Sequence, residues 1–301
     1  MVRKNRIKPL IVFCLLFISF FLSCKSVPTS PEKQQIESGF IQLESGALVY
    51  IFIDAVNSRE ILNHVDLGFS QDKQFKKMLD KTQSAIIAVY PSNSENAFPQ
   101  QMQISTWGKY PACMARTSMG FNKYWKKIRS DKNYYYSAKN GLSVVVNSKQ
   151  AFISSSGEVP VYPVTAKADT NVPEGFNIFS KNAVLSCWID NPGPFINQKL
   201  YELGFPIEFP AEKLFLSIYP YNKNYEVFLQ LHAETATHAR TFVAIIALAR
   251  GLMPPITAIE TGTELLEAIL LRNSPDRDGN IVNIKSGEIS IKELSLLFNL
   301  F

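Results

Sequence analysis

Two stretches, Ala47-Leu-Val-Tyr-Ile-Phe-Ile-Asp54 and Ala183-Val-Leu-Ser-Cys-Trp-Ile-Asp190, decide the reading of the fold. Both are strand-type runs, apolar on both faces and closed by an aspartate, and they lie 136 residues apart. The same offset carries Leu67-Gly68-Phe69 onto Leu203-Gly204-Phe205. Tyr90-Pro91 matches Tyr219-Pro220, Gln103-Ile104 matches Gln230-Leu231, and residues 146–153 match 284–291, at offsets drifting between 127 and 138. Loop-length changes after an internal duplication would produce such a drift.

Working outward, each half repeats an order of elements. After the opening strand comes a short helix stopped at Gly68 or Gly204, then strands 84–90 with 101–105, or 213–219 with 226–232. A helix follows, over 111–128 with Pro111 at its first position, or over 238–250 with Thr237 as cap. Strands close each half around Asn140-Gly141 or Asp278-Gly279. The second half adds a helix over 262–271, preceded by the capping-box pattern Thr261-x-x-Glu264, and a docking helix over 292–301. The expectation is an α+β fold of two related split β-α-β-β-α-β, ferredoxin-like halves with antiparallel sheets. The halves are placed at 39–154 and 179–301, joined by a Ser-, Pro-, Val- and Lys-containing linker at 155–178.

Ahead of this body stands a leader. Arg3, Lys4, Arg6 and Lys8 precede an apolar run from Leu10 to Leu22. About thirteen residues at 1.5 Å rise span roughly 20 Å, short of a hydrocarbon core of about 30 Å, so an export signal fits better than a spanning helix. The run ends in Phe21-Leu22-Ser23-Cys24, which resembles the lipobox of bacterial lipoprotein precursors. Phe21 and Leu22 depart from the leucine and the small residue usual there. The resemblance, confined to residues 1–24, implies a signal peptide over 1–23 and lipidation of Cys24, with acyl chains such as palmitate. Residues 24–38 then hold the lipidated cysteine and a polar, proline-containing tether. Together these imply a bacterial cell-envelope protein held on a membrane by lipid, with its body outside the cytoplasm.

Of the 301 residues, 46% are apolar and 19% charged, a balance of folded domains that excludes disorder and a polytopic membrane protein. Without the leader, 27 basic side chains face 26 acidic ones. That sum offers no charge argument for nucleic acid or an anionic surface. The chain contains no Gly-x-Ser-x-Gly, His-Glu-x-x-His, Cys-x-x-Cys or phosphate-cradling loop, and no two glycines two apart. No nucleotide and no cofactor are therefore expected.

Several residues could carry chemistry, each beside a plainer reading. His232, Glu234 and His238 gather metal-ligand types where a strand gives way to a helix, and could serve a metal-dependent envelope hydrolase. The plainer reading is a polar junction. Asp54 and Asp190 could act as acid and base, or each could close a turn. Cys113 and Cys187 could bridge the halves, or Cys187 could be a small core residue. Asp276-Arg-Asp278-Gly-Asn280 starts like a calcium loop but has Ile281 where glycine is needed and Gly287 where glutamate is needed, so a hairpin turn is expected. Tyr124-Trp-Lys-Lys-Ile-Arg129 could rest on headgroups or sugars, or be a helix tail with wet lysines. Phe242–Ala249 is too short to span a membrane and reads as a buried helix. The expected role is non-enzymatic: binding or scaffolding of an envelope partner through a groove between halves or a sheet face. A carrier of an apolar ligand in a cavity between helix and sheet is the remaining alternative.

Overall fold

The computed structural model describes residues 43, 46–64, 80–91, 101–129, 133–139, 141–155, 173, 175–176, 180–202, 208–252 and 259–298. The leader, Cys24, the tether and most of the 155–178 link lie outside these residues.

Strand β1, Val49–Asp54, buries every second residue and pairs antiparallel with β2, Thr82–Val89. Tyr50 faces Ala88, Phe52 faces Ile86 and Asp54 faces Ser84, all buried. β2 pairs in turn with β3, Met102–Gly108. After helix α2, Ala112–Phe121, come β4 Lys126–Ile128, β5 Tyr134–Ser137, β6 Leu142–Val146 and β7 Gln150–Ser154. β7 returns to β3, so the first unit's order is β1-β2-β3-β7-β6-β5-β4. α2 turns Ala112, Ala115 and Met119 inward.

The chain divides into two compact units, residues 1–59 with 68–177, and residues 60–67 with 178–301. Helix α1, Arg59–His64, thus leaves β1 and contributes to the second unit, where Ile61 is buried in the core. That unit holds β8 Leu185–Asp190, α3 Gly193–Glu202, β9 Ala211–Tyr221, β10 Asn224–Ala233, α4 Ala236–Leu252, α5 Gly262–Arg272, β11 Asp276–Asp278, β12 Ile281–Ile289 and α6 Ile291–Phe298. Its order is β8-β9-β10-β12-β11. Val227, Leu229 and Leu231 of β10 and Val282 and Ile284 of β12 share one core cluster with Phe242, Ile245 and Ile246 of α4, Leu265 and Ile269 of α5, and Leu294 of α6. These helices therefore cover one face of the sheet. The Phe209 and Phe242 rings lie 4.7 Å apart within that core, a contact at which burial and ring geometry both stabilise.

The ferredoxin-like expectation is overturned. The described strands of each unit pair antiparallel throughout, seven in the first and five in the second, and β1 with β2, and β8 with β9, are antiparallel neighbours. A split β-α-β-β-α-β fold needs crossovers between parallel strands, each of a dozen residues or more. Here the chain that leaves β1 through α1 returns as β2 beside it, antiparallel, so no such crossover is made. The described elements do not support the internal duplication either. Between β3 and β7 the chain makes one helix and three strands, whereas between β10 and β12 it makes two helices and one strand.

The helix expected over 111–128 also stops early. Asn122 takes extended backbone, φ −87° and ψ 121°, and Lys126 and Ile128 pair with Tyr136 and Tyr134 instead. Cross-strand aromatic contact offers these residues more than another turn of helix would. After Asn140-Gly141 the chain makes two strands, β6 and β7, because the Asn147 carboxamide accepts from the Lys149 and Gln150 N–H groups at 2.8 and 2.7 Å and closes a turn between them.

Candidate functional site

Alternation along β10 sends Val227, Leu229 and Leu231 to the helices and places Phe228, Gln230 and His232 on the opposite face. β12 sets Lys285 beside Phe228 and Asn283 beside Gln230. The register slips just before this pair, between Glu226 and Phe228. There Ser286 accepts from the Val227 N–H at 2.8 Å and donates to the Gly287 carbonyl at 2.7 Å. Gly287 has φ +69°, a conformation that suits a bulge and disfavours side chains. β11 then places Asp276 beside Asn283.

The residue after α5 completes one wall. Asn273 Nδ2 donates to the Lys285 carbonyl at 2.6 Å, and Ser274 Oγ accepts from Arg250 at 2.8 Å. Phe228, Gln230, Asn273, Ser274, Asp276, Asn283 and Lys285 line an open recess. Its floor is a ladder: His232 Nε2 lies 2.8 Å from Gln230 Oε1, and Gln230 Nε2 donates to Asn283 Oδ1 at 2.8 Å. The ladder fixes the amide orientation, directing the Asn283 Nδ2 donors away from Gln230. An aromatic edge, oriented amides, a carboxylate and an ammonium suit the grip of a polar group.

The residues singled out from sequence are dispersed. His232 is tied into the ladder, with its ring 5.5 Å from that of Phe215. His238 Nδ1 and Glu234 Oε2 sit 3.7 Å apart on the next turn, an ion-pair distance too long for a hydrogen bond. Among the described residues no three His, Cys, Asp or Glu side chains gather as a metal site. Asp54 is buried and accepts from the Val56 and Asn57 N–H groups at 3.0 Å each and from Asn57 Nδ2 at 2.8 Å, closing the turn into α1. Burial pushes its carboxyl above the usual range against those bonds. Asp190 is exposed, so the two aspartates occupy different settings.

Cys113 and Cys187 are both free thiols. Cys113 is exposed; Cys187 keeps some surface on the residue as a whole, yet packing around the thiol pushes it up to about 12. Asp276 and Asp278 belong to the β11–β12 hairpin, with Gly279 at φ +59°. Phe242–Ala249 lies within α4 and supplies core residues on one face while Leu248 is 53% exposed. Around β4, Trp125 is buried, Phe121 is 88% exposed, and Tyr124 carries Lys123 and Lys139 ammoniums 5.1 and 4.6 Å from its ring centroid. The recess itself went unnoticed in sequence, although the alternating run Glu226-x-Phe228-x-Gln230-x-His232 was the signal for it.

No helix of the described residues is long and apolar enough to cross a membrane. No family model and no curated protein matches the chain. Solved structures do, among them crystal forms I, III and IV of TP0453, with TM-scores of 0.52, 0.51 and 0.51 at 16, 15 and 16% identity. The matches cover 92, 87 and 86% of this chain and 99, 97 and 95% of those chains. At such identity the likeness shows a shared fold alone.

Proposed function

We propose that the chain is a bacterial cell-envelope lipoprotein that binds a partner or ligand rather than transforming it. Lipid on Cys24 would hold it on a membrane, with its body outside the cytoplasm and the 24–38 tether giving that body reach. The lipobox-like end of the leader supports the anchor. The observation that carries the binding role is the hydrogen-bonded ladder of His232, Gln230 and Asn283 on the face of the sheet away from the helices. Such a ladder presents pre-oriented donors, and a partner that meets them loses less to ordering the protein.

Metabolic labelling with an alkyne-tagged palmitate tests the anchor: label on the wild type and none on Cys24→Ala is expected, and label on both overturns it. A photo-crosslinking residue at Ser274, at the rim of the recess, tests binding in intact cells. One envelope component captured there, and lost with Asn283→Ala, is expected. Capture that Asn283→Ala leaves unchanged, or none, overturns the recess as the binding surface.

A further inference from the structure

The near-neutral total conceals a segregated charge. Between Glu95 and Glu158 the chain carries nine Lys and Arg and a single acid, Asp131. Residues 60–67 with 178–301, the second unit, carry fifteen acids against ten bases. Cations gather most densely around β4, where Lys123, Lys126, Lys127, Arg129 and Lys139 are exposed or nearly so and, among the described residues, unpaired with any carboxylate. β4 is the terminal strand of the sheet order, and lysines on an edge strand ordinarily guard against strand addition. That purpose accounts for Lys126 and Lys127. It does not account for the cations of the flanking loops, nor for Phe121 standing 88% exposed beside Tyr124 at 47%. Basic side chains around exposed aromatic rings make an interfacial surface, with the rings seated at headgroup depth and the cations on phosphate.

We infer that this basic, aromatic edge of the first unit, from Phe121 through β4 to Lys139, docks the body on the anionic phospholipid surface beneath its anchor. The inference rests on the membrane attachment proposed above, and its test is separate. Fourteen residues between Cys24 and residue 39 reach at most about 50 Å when fully extended, so the tether keeps the start of the body within that distance of the headgroups. Tethering raises its effective concentration there, and a weak surface affinity then suffices to orient the body. The attraction acts within a Debye length, about 8–10 Å in physiological salt, so it is a contact effect that salt removes.

The test uses the unacylated mature chain, residues 24–301 with Cys24→Ser, co-sedimented with vesicles of phosphatidylglycerol and phosphatidylcholine or of phosphatidylcholine alone. Binding to the anionic vesicles, falling steeply between low and high salt, is expected. At about 1 kcal/mol per cation near an anionic surface, each lost charge weakens binding roughly fivefold, so Lys126→Glu with Lys127→Glu should weaken it by well over tenfold. Phe121→Ser should weaken it less and leave the salt dependence in place. Equal binding to neutral vesicles, full binding by the double variant, or binding to soluble polyglutamate in preference to vesicles overturns the docking. If Cys24 proves unacylated while this binding holds, the anchor alone falls.

Discussion

Gln230 donates through Nε2 to the Oδ1 of Asn283 at 2.8 Å, across the β10–β12 pair, while its own Oε1 is held 2.8 Å from His232 Nε2. Each amide in this ladder fixes the next, and both residues are half-buried. Asn283→Ala should cost about 1 kcal/mol of stability, the usual net worth of such a bond. Gln230→Ala should cost about the same. Because they remove one shared bond, the double variant should cost less than the sum; chemical denaturation of all four proteins measures the coupling. Strict additivity would mean that the ladder does not act as a unit.

Gly108 ends β3 where the backbone of Lys81 crosses it. A Cβ placed there would collide with the Lys81 carbonyl and approach the Tyr110 ring to 2.9 Å. Tyr110 is itself held by hydrogen bonds to Thr106 and Thr82 at 2.9 and 3.3 Å, so the ring has little freedom to retreat. Gly108→Ala should therefore destabilise the protein by roughly 1–3 kcal/mol. Gly251, near the end of α4, has open space where its Cβ would be. Gly251→Ala should stabilise it by up to about 1 kcal/mol, as helix propensity requires. Paired thermal melts of the two variants should move in opposite directions.

The two thiols of the body should differ in reactivity. A thiol pushed up to about 12 by burial, as at Cys187, has almost no thiolate near neutral pH, and it lacks the access that Cys113 enjoys. Ellman's reagent should label Cys113 rapidly and Cys187 only as the protein unfolds. Rapid labelling of Cys113→Ser at native conditions would contradict the buried setting of Cys187.

Asp54 gives a pH-dependent prediction. Burial raises its folded pKa above the ordinary carboxylate value near 4, so the folded state holds the proton more tightly than the unfolded state does. Its contribution is then fullest below that ordinary value and is lost as pH rises through the raised one. Asp54→Asn keeps an oxygen to accept from the Val56 and Asn57 N–H groups but does not titrate. Relative to wild type, the variant should gain stability as pH rises from below 4 towards neutrality. A difference that stays constant with pH, measured by urea titration, would remove Asp54 as the source.

Much of the local structure was legible. The second unit's strands and helices fall close to the expected ranges because their local signals are long, an apolar run of helical length within Ala236–Leu252 and alternation along Asn224–Ala233. The Asp54 turn and the Asp278-Gly279 hairpin were legible for the same reason, since their chemistry is local. Topology was not. A helix between two strands looks the same in sequence whether it crosses over to a parallel neighbour or caps an antiparallel turn; only the β1–β2 and β8–β9 registers distinguish the two. The recess was hidden because it is assembled across 53 residues from two amides, neither of which is a motif residue. Summing charge over the whole chain hid the basic edge, since a sum carries no information about place.

The cap of α5 joins a sequence pattern to a measurable energy. Thr261 Oγ1 accepts from the Glu264 N–H at 3.2 Å, and Glu264 Oε2 accepts from the Thr261 and Glu260 N–H groups at 2.9 and 2.8 Å. Those bonds to Glu260 and Thr261 hold the Glu264 carboxyl below its ordinary pKa. A lowered folded pKa means that its contribution is present above the ordinary carboxylate value and is lost as pH falls through the folded one. α5 anchors Leu265, Ala268 and Ile269 in the core, so loosening its first turn is felt beyond the surface. Thr261→Ala should cost about 1 kcal/mol, and Thr261→Ser much less because the hydroxyl remains. Glu264→Gln keeps the reach of the cap without the charge, and should lack the part of the acid-side stability loss that wild type owes to this residue. If urea titrations gave Thr261→Ala and Thr261→Ser the same stability, the hydroxyl would not be what starts the helix.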